Sequence, residues 1–233
     1  GVVTNAINAT FKLVGSAATS IEQFTSSVVF DASLMFGKLT LSTSNSDDII
    51  IGGNGVNIIT GLDGIDKINI TASTDKQDIV RLDGITKTQN RDEITGFKSG
   101  PNSDVVLIGA EETSAQTMAG NSANFQEITT NTGAVNFLTL VNDVLVFNFN
   151  IAGNLLGNNS ASSLNGTNLL AEIGSINVSA GADKGYILAF QQSDSYIYHV
   201  EDDGDGSISA TEISLIGTFT NSNTWDVSNI QIV

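Results

Sequence analysis

The chain has 233 residues, of which 25 are acidic and 9 are basic, so its formal net charge is −16 at pH 7. A surface this acidic repels phosphate backbones and anionic lipids, which argues against binding to nucleic acid or to a membrane surface and favours divalent cations. Cysteine is absent and His199 is the only histidine, which excludes thiol chemistry, Cys-based metal sites and His-rich zinc sites. No apolar run approaches the ~18–20 residues of a membrane-spanning helix.

The composition predicts an all-β extracellular protein. Apolar residues make up 40% of the chain and charged residues only 15%, and most of the remaining polar residues are Ser, Thr, Asn and Gly. Val, Ile, Thr and Phe favour strands, and the apolar fraction is too high for a disordered chain. Residues 1–42 alternate apolar and Ser/Thr positions, which predicts an N-terminal β segment of short strands. No basic stretch followed by an apolar run begins the chain, so we expect no cleavable signal peptide.

Three nine-residue blocks follow in register over residues 43–69, and they read TSNSDDIII, GGNGVNIIT and GLDGIDKIN. Position six carries a carboxylate or an amide and position eight carries isoleucine. The residues are Asp48, Asn57 and Asp66 at position six, and Ile50, Ile59 and Ile68 at position eight. A unit of this length can hold six turn residues and a three-residue strand, with the isoleucine pointing inward. Carboxylate and carbonyl oxygens would then gather at the turns, and these are the ligands that Ca²⁺ prefers.

Two blocks make one full turn of such a coil, so residues 18 apart are expected to stack. Asp48 and Asp66 have this spacing and are the best candidate pair for one calcium ion between adjacent turns. Asn57 faces the other side as a neutral, weaker ligand, and Asp75, 18 residues later, is expected to complete that second site. The candidate ligands of this segment also include Gly53 and Asp63. The block around Asp75 has lost its glycines and carries Gln77 at an inward position, so we expect the coil to end there.

These blocks resemble the RTX family of secreted bacterial proteins. The second and third blocks, GGNGVNIIT and GLDGIDKIN, match its pattern G-G-x-G-x-D-x-U-x with two departures, Asn57 in place of Asp and Leu62 in place of Gly. Residues 91–108 (RDEITGFKSGPNSDVVLI) are similar to the segment that follows the repeats in secreted metalloprotease C-terminal domains. The resemblance implies a degenerate parallel β-roll and its C-terminal extension, together covering residues 43–110, and a roll that folds with Ca²⁺ outside the cell. It also implies export by the type I secretion machinery through an uncleaved C-terminal signal.

Residues 111–233 are expected to form a C-terminal β-rich domain. A hairpin is predicted over residues 185–200, and residues 160–173 are the best helix candidate. The full expectation for the fold is a short parallel β-roll joined to β-sandwich-like segments, with at most one or two short helices.

An acidic loop, residues 201–212 (EDDGDGSISATE), matches the calcium-loop pattern D-x-[DN]-x-[DN]-G-x₅-E apart from a glutamate at its first position. Its candidate ligands are Glu201, Asp203, Asp205, Ser207 and Glu212. Gly206 permits the sharp turn and Glu212 can bind in bidentate fashion. Because the preceding residues read as a strand, we expect a calcium loop on a β scaffold rather than a helical EF-hand. A solvated acidic turn is the alternative.

The sequence contains no H-E-x-x-H, G-x-S-x-G or P-loop motif, and we assign no catalytic residue. The leading hypothesis is a non-enzymatic, secreted surface protein that uses Ca²⁺ to fold and to self-assemble into a bacterial S-layer lattice. The alternative is a calcium-binding accessory or secretion domain of a secreted RTX metalloprotease or of a large adhesin.

Overall fold

The structure is a computed structural model, and it describes residues 9–22, 24–73, 75–82, 91–108, 121–122, 124–129, 134–137, 143–156, 164–178 and 184–232. Strands dominate, which confirms the all-β class. Within the described ranges there is one α-helix, α1 (Thr167–Ile173), and two short 3₁₀ helices, Ala210–Glu212 and Val227–Asn229. No helix in this part of the chain has the length and apolar character needed to cross a membrane.

The first ten strands alternate between two large sheets, and every pairing among them is parallel. In chain order they are β1 (Ala9–Gly15), β2 (Thr19–Ile21), β3 (Val28–Met35), β4 (Leu39–Ser42), β5 (Ile49–Ile51), β6 (Asn57–Thr60), β7 (Lys67–Asn69), β8 (Ile79–Leu82), β9 (Asp92–Thr95) and β10 (Val105–Ile108). Odd-numbered strands lie in the first sheet and even-numbered strands in the second sheet. We call one strand of each sheet, with the turns that join them, a tier.

One expectation for this region needs revision. The parallel pairing does not end at Asp75, where we expected the coil to end, because β8 pairs with β6, β9 with β7 and β10 with β8. Strands from both sides of residue 42 pair in each sheet, since β3 pairs with β5 and β4 pairs with β6. The tiers thus run from β1 to β10 without a change in pairing.

Most of the C-terminal strands extend the same two sheets. They are β11 (Asn121–Ser122), β12 (Asn124–Ile128), β13 (Ala134–Phe137), β14 (Asp143–Asn150), β15 (Ser175–Val178), β16 (Lys184–Gln191), β17 (Asp194–Glu201), β18 (Ser207–Ile208), β19 (Ile213–Thr220) and β20 (Ile230–Ile232). β19 pairs with β9 in the first sheet, and β20 pairs with β10 in the second. The last strands of the chain therefore lie against the last tier, and residues on both sides of position 110 share the two sheets.

The first sheet continues from β19 through β17, β16 and β14 to β12, and β13, β15 and β18 form a third, small sheet. β16 and β17 form an antiparallel hairpin, which confirms the hairpin predicted over residues 185–200. The predicted helix is present as α1, and residues 160–163 of that prediction lie outside the described residues.

The main core lies between the two large sheets and consists of in-register ladders of apolar side chains. In the first sheet, Ile68 is paired with Ile50 on one side and with Ile94 on the other, and all three are at most 1% exposed. In the second sheet, Ile59 is paired with Leu41 and Val80 and is fully buried. The prediction that the position-eight isoleucines point inward is confirmed. A second core lies on the other face of the C-terminal half of the first sheet, against α1 and the third sheet.

Replacing Ile68 with alanine should destabilise the protein by about 2–5 kcal/mol, because a cavity would open in the middle of the ladder. Urea unfolding monitored by circular dichroism measures this change. Lys67→Ala is the matched control, since Lys67 is exposed on the same strand. A loss for Ile68→Ala as small as that for Lys67→Ala would contradict the ladder.

Candidate functional site

Buried carboxylates stack from tier to tier at the start of the first-sheet strands. We call Asp48, Asp66 and Asp92 the first column; their side chains are at most 3% exposed. The N–H of Asp48 donates to Oδ1 of Asp66 at 2.7 Å, and the N–H of Asp66 donates to Oδ1 of Asp92 at 3.2 Å. Asp48 Oδ1 in turn accepts the N–H of Val28 at 2.6 Å. Asp48 and Asp66, the pair selected from their spacing of 18, do lie on adjacent tiers on the same side of the molecule.

A second column lies at the start of the second-sheet strands and contains Asn57, Asp78 and Asp104, all at most 1% exposed. The N–H of Asn57 donates to Asp78 Oδ1 at 2.7 Å, and the N–H of Asp78 donates to Asp104 Oδ1 at 2.8 Å. Asp75 is exposed and takes no place in this column. The tier between Asn57 and its stacked partner is three residues longer than the repeat, so the partner lies 21 residues away, not 18.

Asn57 shows how a neutral side chain fits this position. Its Oδ1 accepts the N–H of Gly53 at 2.9 Å, just as Asp48 Oδ2 accepts the N–H of Ser44, also four residues earlier, at 2.9 Å. Its Nδ2 donates to the carbonyl oxygens of Gly53 and Gly55, both at 3.1 Å, and to Asp78 Oδ1 at 3.0 Å. The amide thus supplies positive hydrogens to inward-facing carbonyls. Gly53, predicted as a ligand, uses both of its backbone groups on Asn57.

Backbone donors hold the columns together and bring the tiers into register. Asp48 also accepts the Ser44 hydroxyl, at 3.2 Å on Oδ1 and 3.0 Å on Oδ2. At Gly61, a Cβ atom would collide with Asp66 Oδ2, so glycine is required for the close approach of that turn. Asp63, in the same turn, is only partly buried. Leu62, which departs from the repeat pattern, has φ +69°, a conformation that glycine adopts more readily.

Burial shifts the titration of the second column. Desolvation raises the pKa of Asp78 from 3.8 to about 6, against the lowering effect of the Asn57 N–H and with a further increase from the nearby Asp104 charge. Desolvation also raises the pKa of Asp104, although the N–H groups of Asp78 and Lys98 oppose it. Two carboxylates stacked in a buried column resist full ionisation unless positive charge is added.

The acidic loop brings together three carboxylates that belong to Asp202, Asp203 and Glu212. One carboxylate oxygen from each lies within 4.8 Å of the other two. Oxygen ligands on one Ca²⁺ ion each lie 2.3–2.6 Å from it, so this separation suits a shared cation. Glu212 closes the loop, since Oε1 accepts the N–H of Asp203 at 2.6 Å and Oε2 accepts the N–H of Ser209 at 2.7 Å.

The other loop residues predicted as ligands do not join this cluster. Glu201 is the exposed last residue of β17. Asp205 Oδ1 accepts the N–H of Ser207 at 2.8 Å and its hydroxyl at 2.9 Å, which forms a local turn. Gly206 has φ +83°, as expected for the sharp turn of such a loop. Strand β17 leads into the loop, β18 and a 3₁₀ helix lie within it, and β19 follows it, which agrees with the expected β scaffold.

Partial desolvation of Glu212 works to raise its pKa, but the Ser209 hydroxyl and the N–H groups of Ser209 and Asp203 outweigh it and lower that pKa overall. Glu212 is therefore ionised throughout the neutral range and remains available to a cation. Its two carboxylate oxygens each retain lone pairs beyond those used by the loop N–H groups.

Four residues of these sites were not predicted from the sequence: Asp78, Asp92 and Asp104 in the columns and Asp202 in the loop. The first three each immediately precede or begin a short apolar strand, as Asp48 and Asp66 do, and that signal does not depend on fixed spacing. The calcium-loop pattern has no ligand at its second position, which is where Asp202 lies. Once the loop sits between two strands, the helical register of the pattern no longer applies.

No protein-family model matches the sequence, and the chain matches no curated protein and no solved structure. Any function therefore has to be inferred from the chemistry of the columns and of the loop.

Asp78→Asn should make the calcium-free protein more stable at pH 7, by on the order of 2 kcal/mol. Because the pKa of Asp78 is raised from 3.8 to about 6, folding takes up a proton between these values, and stability falls as the pH rises through that window. The asparagine removes this loss, so the two proteins should converge near pH 4. Urea unfolding in chelator at both pH values measures the effect. Asp75→Asn, at an exposed neighbour, is the control; equal responses of the two variants would contradict the assignment.

Asn57→Asp should have the opposite effect and destabilise the calcium-free protein at pH 7 by about 1–3 kcal/mol. A carboxylate oxygen would replace the donor that faces the carbonyls of Gly53 and Gly55 and the carboxylate of Asp78. Thermal unfolding in chelator measures the loss. Asn69→Asp controls for added charge, because Asn69 is exposed and its side chain, among the described residues, hydrogen-bonds through Oδ1 to the N–H of Thr71. Equal destabilisation by both variants would contradict the role of the Asn57 amide.

Proposed function

We propose that the chain is a secreted, non-enzymatic surface protein of the RTX type, in which Ca²⁺ stabilises a parallel β-roll and promotes self-assembly into an S-layer lattice. The observation that carries the calcium proposal is the convergence of Asp202, Asp203 and Glu212 within 4.8 Å. Three carboxylates held this close repel one another in the absence of a cation, and Ca²⁺ is the cation whose ligand preferences they match.

The tiers support the same proposal. Ten strands that alternate between two sheets and pair in parallel are what a β-roll requires, and the RTX-like blocks form part of these tiers. The first column contains three buried carboxylates and the second contains two. Ions bound at these turns would offset that charge in a chain whose net charge is already −16. This explains why such a chain would be loose and only marginally stable where Ca²⁺ is scarce and firmly folded where Ca²⁺ is abundant.

The energies are adequate for such a switch. A site whose Kd is one tenth of the free Ca²⁺ concentration contributes about 1.4 kcal/mol to folding stability. Extracellular calcium modules bind at roughly 10⁻⁴–10⁻³ M, and a domain is typically stable by about 5–15 kcal/mol. Several such sites together would supply a meaningful part of the total. Export by the type I secretion machinery in the loose state follows from the same RTX resemblance.

Self-assembly is supported by an apolar surface on the first tiers. Val14 and Leu34 are register partners on β1 and β3 and are 62% and 51% exposed. Phe36, two residues beyond Leu34, is 67% exposed, and its N–H donates to Gly15, the last residue of β1. Neighbouring exposed apolar side chains of this size are typical of protein–protein contacts. We call Val14, Leu34 and Phe36 the apolar patch.

Asp202→Asn should weaken Ca²⁺ binding to the loop by about tenfold, since affinity follows the number of charged ligands. Glu201→Gln removes a carboxylate one residue away and should change the affinity little. The amide resonances of Gly204 and Gly206, followed during a Ca²⁺ titration of chelator-treated protein, report on this loop alone. The reverse ranking would favour the ligand set predicted from the sequence pattern. If Ca²⁺ shifts these resonances in none of the proteins, the loop is not a calcium site.

Calcium should also drive growth of the particles. Light scattering of chelator-treated protein should rise from monomer to large assemblies at sub-millimolar to millimolar Ca²⁺, return on addition of chelator, and respond little to Mg²⁺. Phe36→Ser should abolish the growth while leaving Ca²⁺ binding intact. Val227→Ser is the control, because Val227 is also exposed, at 50%, and lies outside the apolar patch. Calcium binding without growth would instead favour an accessory or adhesin module.

A further inference from the structure

A polar cleft lies at the tip of the β16–β17 hairpin, beside the loop that leaves β14. Its volume is about 370 Å³, within the range of small-molecule sites. The wall on one side is formed by residues 152–154, and the wall on the other by Gln191, Gln192, Asp194 and Tyr196. Neither the columns nor the acidic loop contributes to it. From the chemistry of this lining we infer that the cleft binds a neutral saccharide.

Hydrogen bonds fix both walls in place. The Leu155 N–H and the Tyr196 hydroxyl both donate to Gln191 Oε1, each at 3.4 Å. The Gln192 N–H donates to Asn150 Oδ1 at 2.5 Å, which ties the hairpin tip to the end of β14. Burial raises the pKa of Tyr196 to about 12, so its hydroxyl keeps its proton and remains a donor at neutral pH. A site held in this way loses little freedom when a ligand binds.

Further bonds hold the tip from its other side. Asp194 Oδ1 accepts the N–H of Asn221 at 2.9 Å, and the carbonyl oxygen of Gln192 accepts Nδ2 of Asn223 at 3.3 Å. Gln192 has φ +57°, a left-handed conformation that is unusual for a glutamine. The turn is therefore built with a long amide side chain at a position where glycine would be less strained.

The hydrogen bonds that hold the two walls leave both donors and acceptors unused in the cleft. Within the described residues, the side chain of Gln191 hydrogen-bonds only through Oε1, that of Asp194 only through Oδ1, and that of Gln192 not at all. Gln191 Nε2 is thus a spare donor, Asp194 Oδ2 is a spare acceptor, and the Gln192 amide offers both. Vicinal hydroxyl groups, each a donor and an acceptor, are the ligand groups that can satisfy such a set.

The lining disfavours the other ligand classes. A phosphate or another anion would meet the carboxylate of Asp194 on a protein of net charge −16. A divalent cation would find a single carboxylate among the lining residues, whereas the acidic loop offers three. An apolar ligand would leave the amides and the carboxylate desolvated without partners. A neutral sugar avoids all three costs, and the inference does not depend on the proposed calcium chemistry.

Saturation-transfer difference NMR on the full chain with Ca²⁺ present tests this inference. The probes are a panel of neutral mono- and disaccharides, with a uronic acid of matched size as the anionic comparison. At least one neutral sugar should show transfer with a dissociation constant in the millimolar range, and the uronic acid should show less. Repeating the measurement in chelator separates the cleft from the calcium sites, because binding to the cleft should survive while the chain remains folded by circular dichroism.

Gln192→Gly is the key variant, since it removes the amide at a backbone position that suits glycine. It should weaken binding of that sugar about fivefold, the effect of losing one or two hydrogen bonds. Asn102→Gly is the matched control, because Asn102 also has φ +57°, is exposed and lies outside the cleft. Equal affinities of Gln192→Gly and the parent protein would overturn the inference, and so would the absence of transfer to every neutral sugar.

Discussion

Along both columns, a backbone N–H of one tier donates to the side chain that begins the next, and the register of the tiers depends on this contact. A short strand buried on its inner face cannot leave the polar groups at its start without partners. At Asp48, the N–H goes to Asp66 Oδ1 and the carbonyl oxygen accepts the N–H of Lys67. Each tier thus supplies the acceptors that the preceding tier lacks. The apolar ladders are aligned as a consequence, since Ile50 and Ile68 follow the column residues by two positions.

The same contact explains why the tiers tolerate irregular lengths. Stacked column residues are separated by 18 and 26 residues in the first column and by 21 and 26 in the second. The carboxylate fixes only where a strand begins, and the inward residue two positions later fixes its face. Chain between strands can lengthen at the surface at small entropic cost. The core between the sheets is therefore continuous although the sequence repeat is not.

The buried carboxylates of the columns are an electrostatic cost to this fold, because burial disfavours their charged form. Asp78 and Asp104 both have raised pKa values because burial disfavours their charge, and Asn57 avoids the problem by carrying none. Protons, amide donors and divalent cations are three ways to balance the same columns. One constraint, the cost of burying charge in the columns, therefore underlies three features. They are the proposed calcium dependence, the pH-dependent stability at Asp78 and the neutral amide at Asn57. The acidic loop differs, because its carboxylates are close together at the surface and their H-bond donors come from the loop itself.

The sequence by itself determined the features that depend on local pattern. The β-rich composition, the inward isoleucines at Ile50, Ile59 and Ile68, the stacking of Asp48 with Asp66 and the hairpin after residue 184 all follow from alternation and regular spacing. Such patterns can be predicted because the position of each of these residues in the fold depends on neighbours at a fixed distance along the chain.

Only the tertiary structure decided the features that depend on contacts of variable separation. The second column contains Asp78 rather than Asp75, because the tier is three residues longer than the repeat. The parallel pairing also continues to β10, beyond Gln77. β19 pairs with β9 and β20 pairs with β10, although the paired residues are more than 120 positions apart. No periodicity in the sequence predicts these pairings. The tertiary structure also gathered Asp202 with Asp203 and Glu212, because side-chain direction in a loop is set by the strands that anchor it.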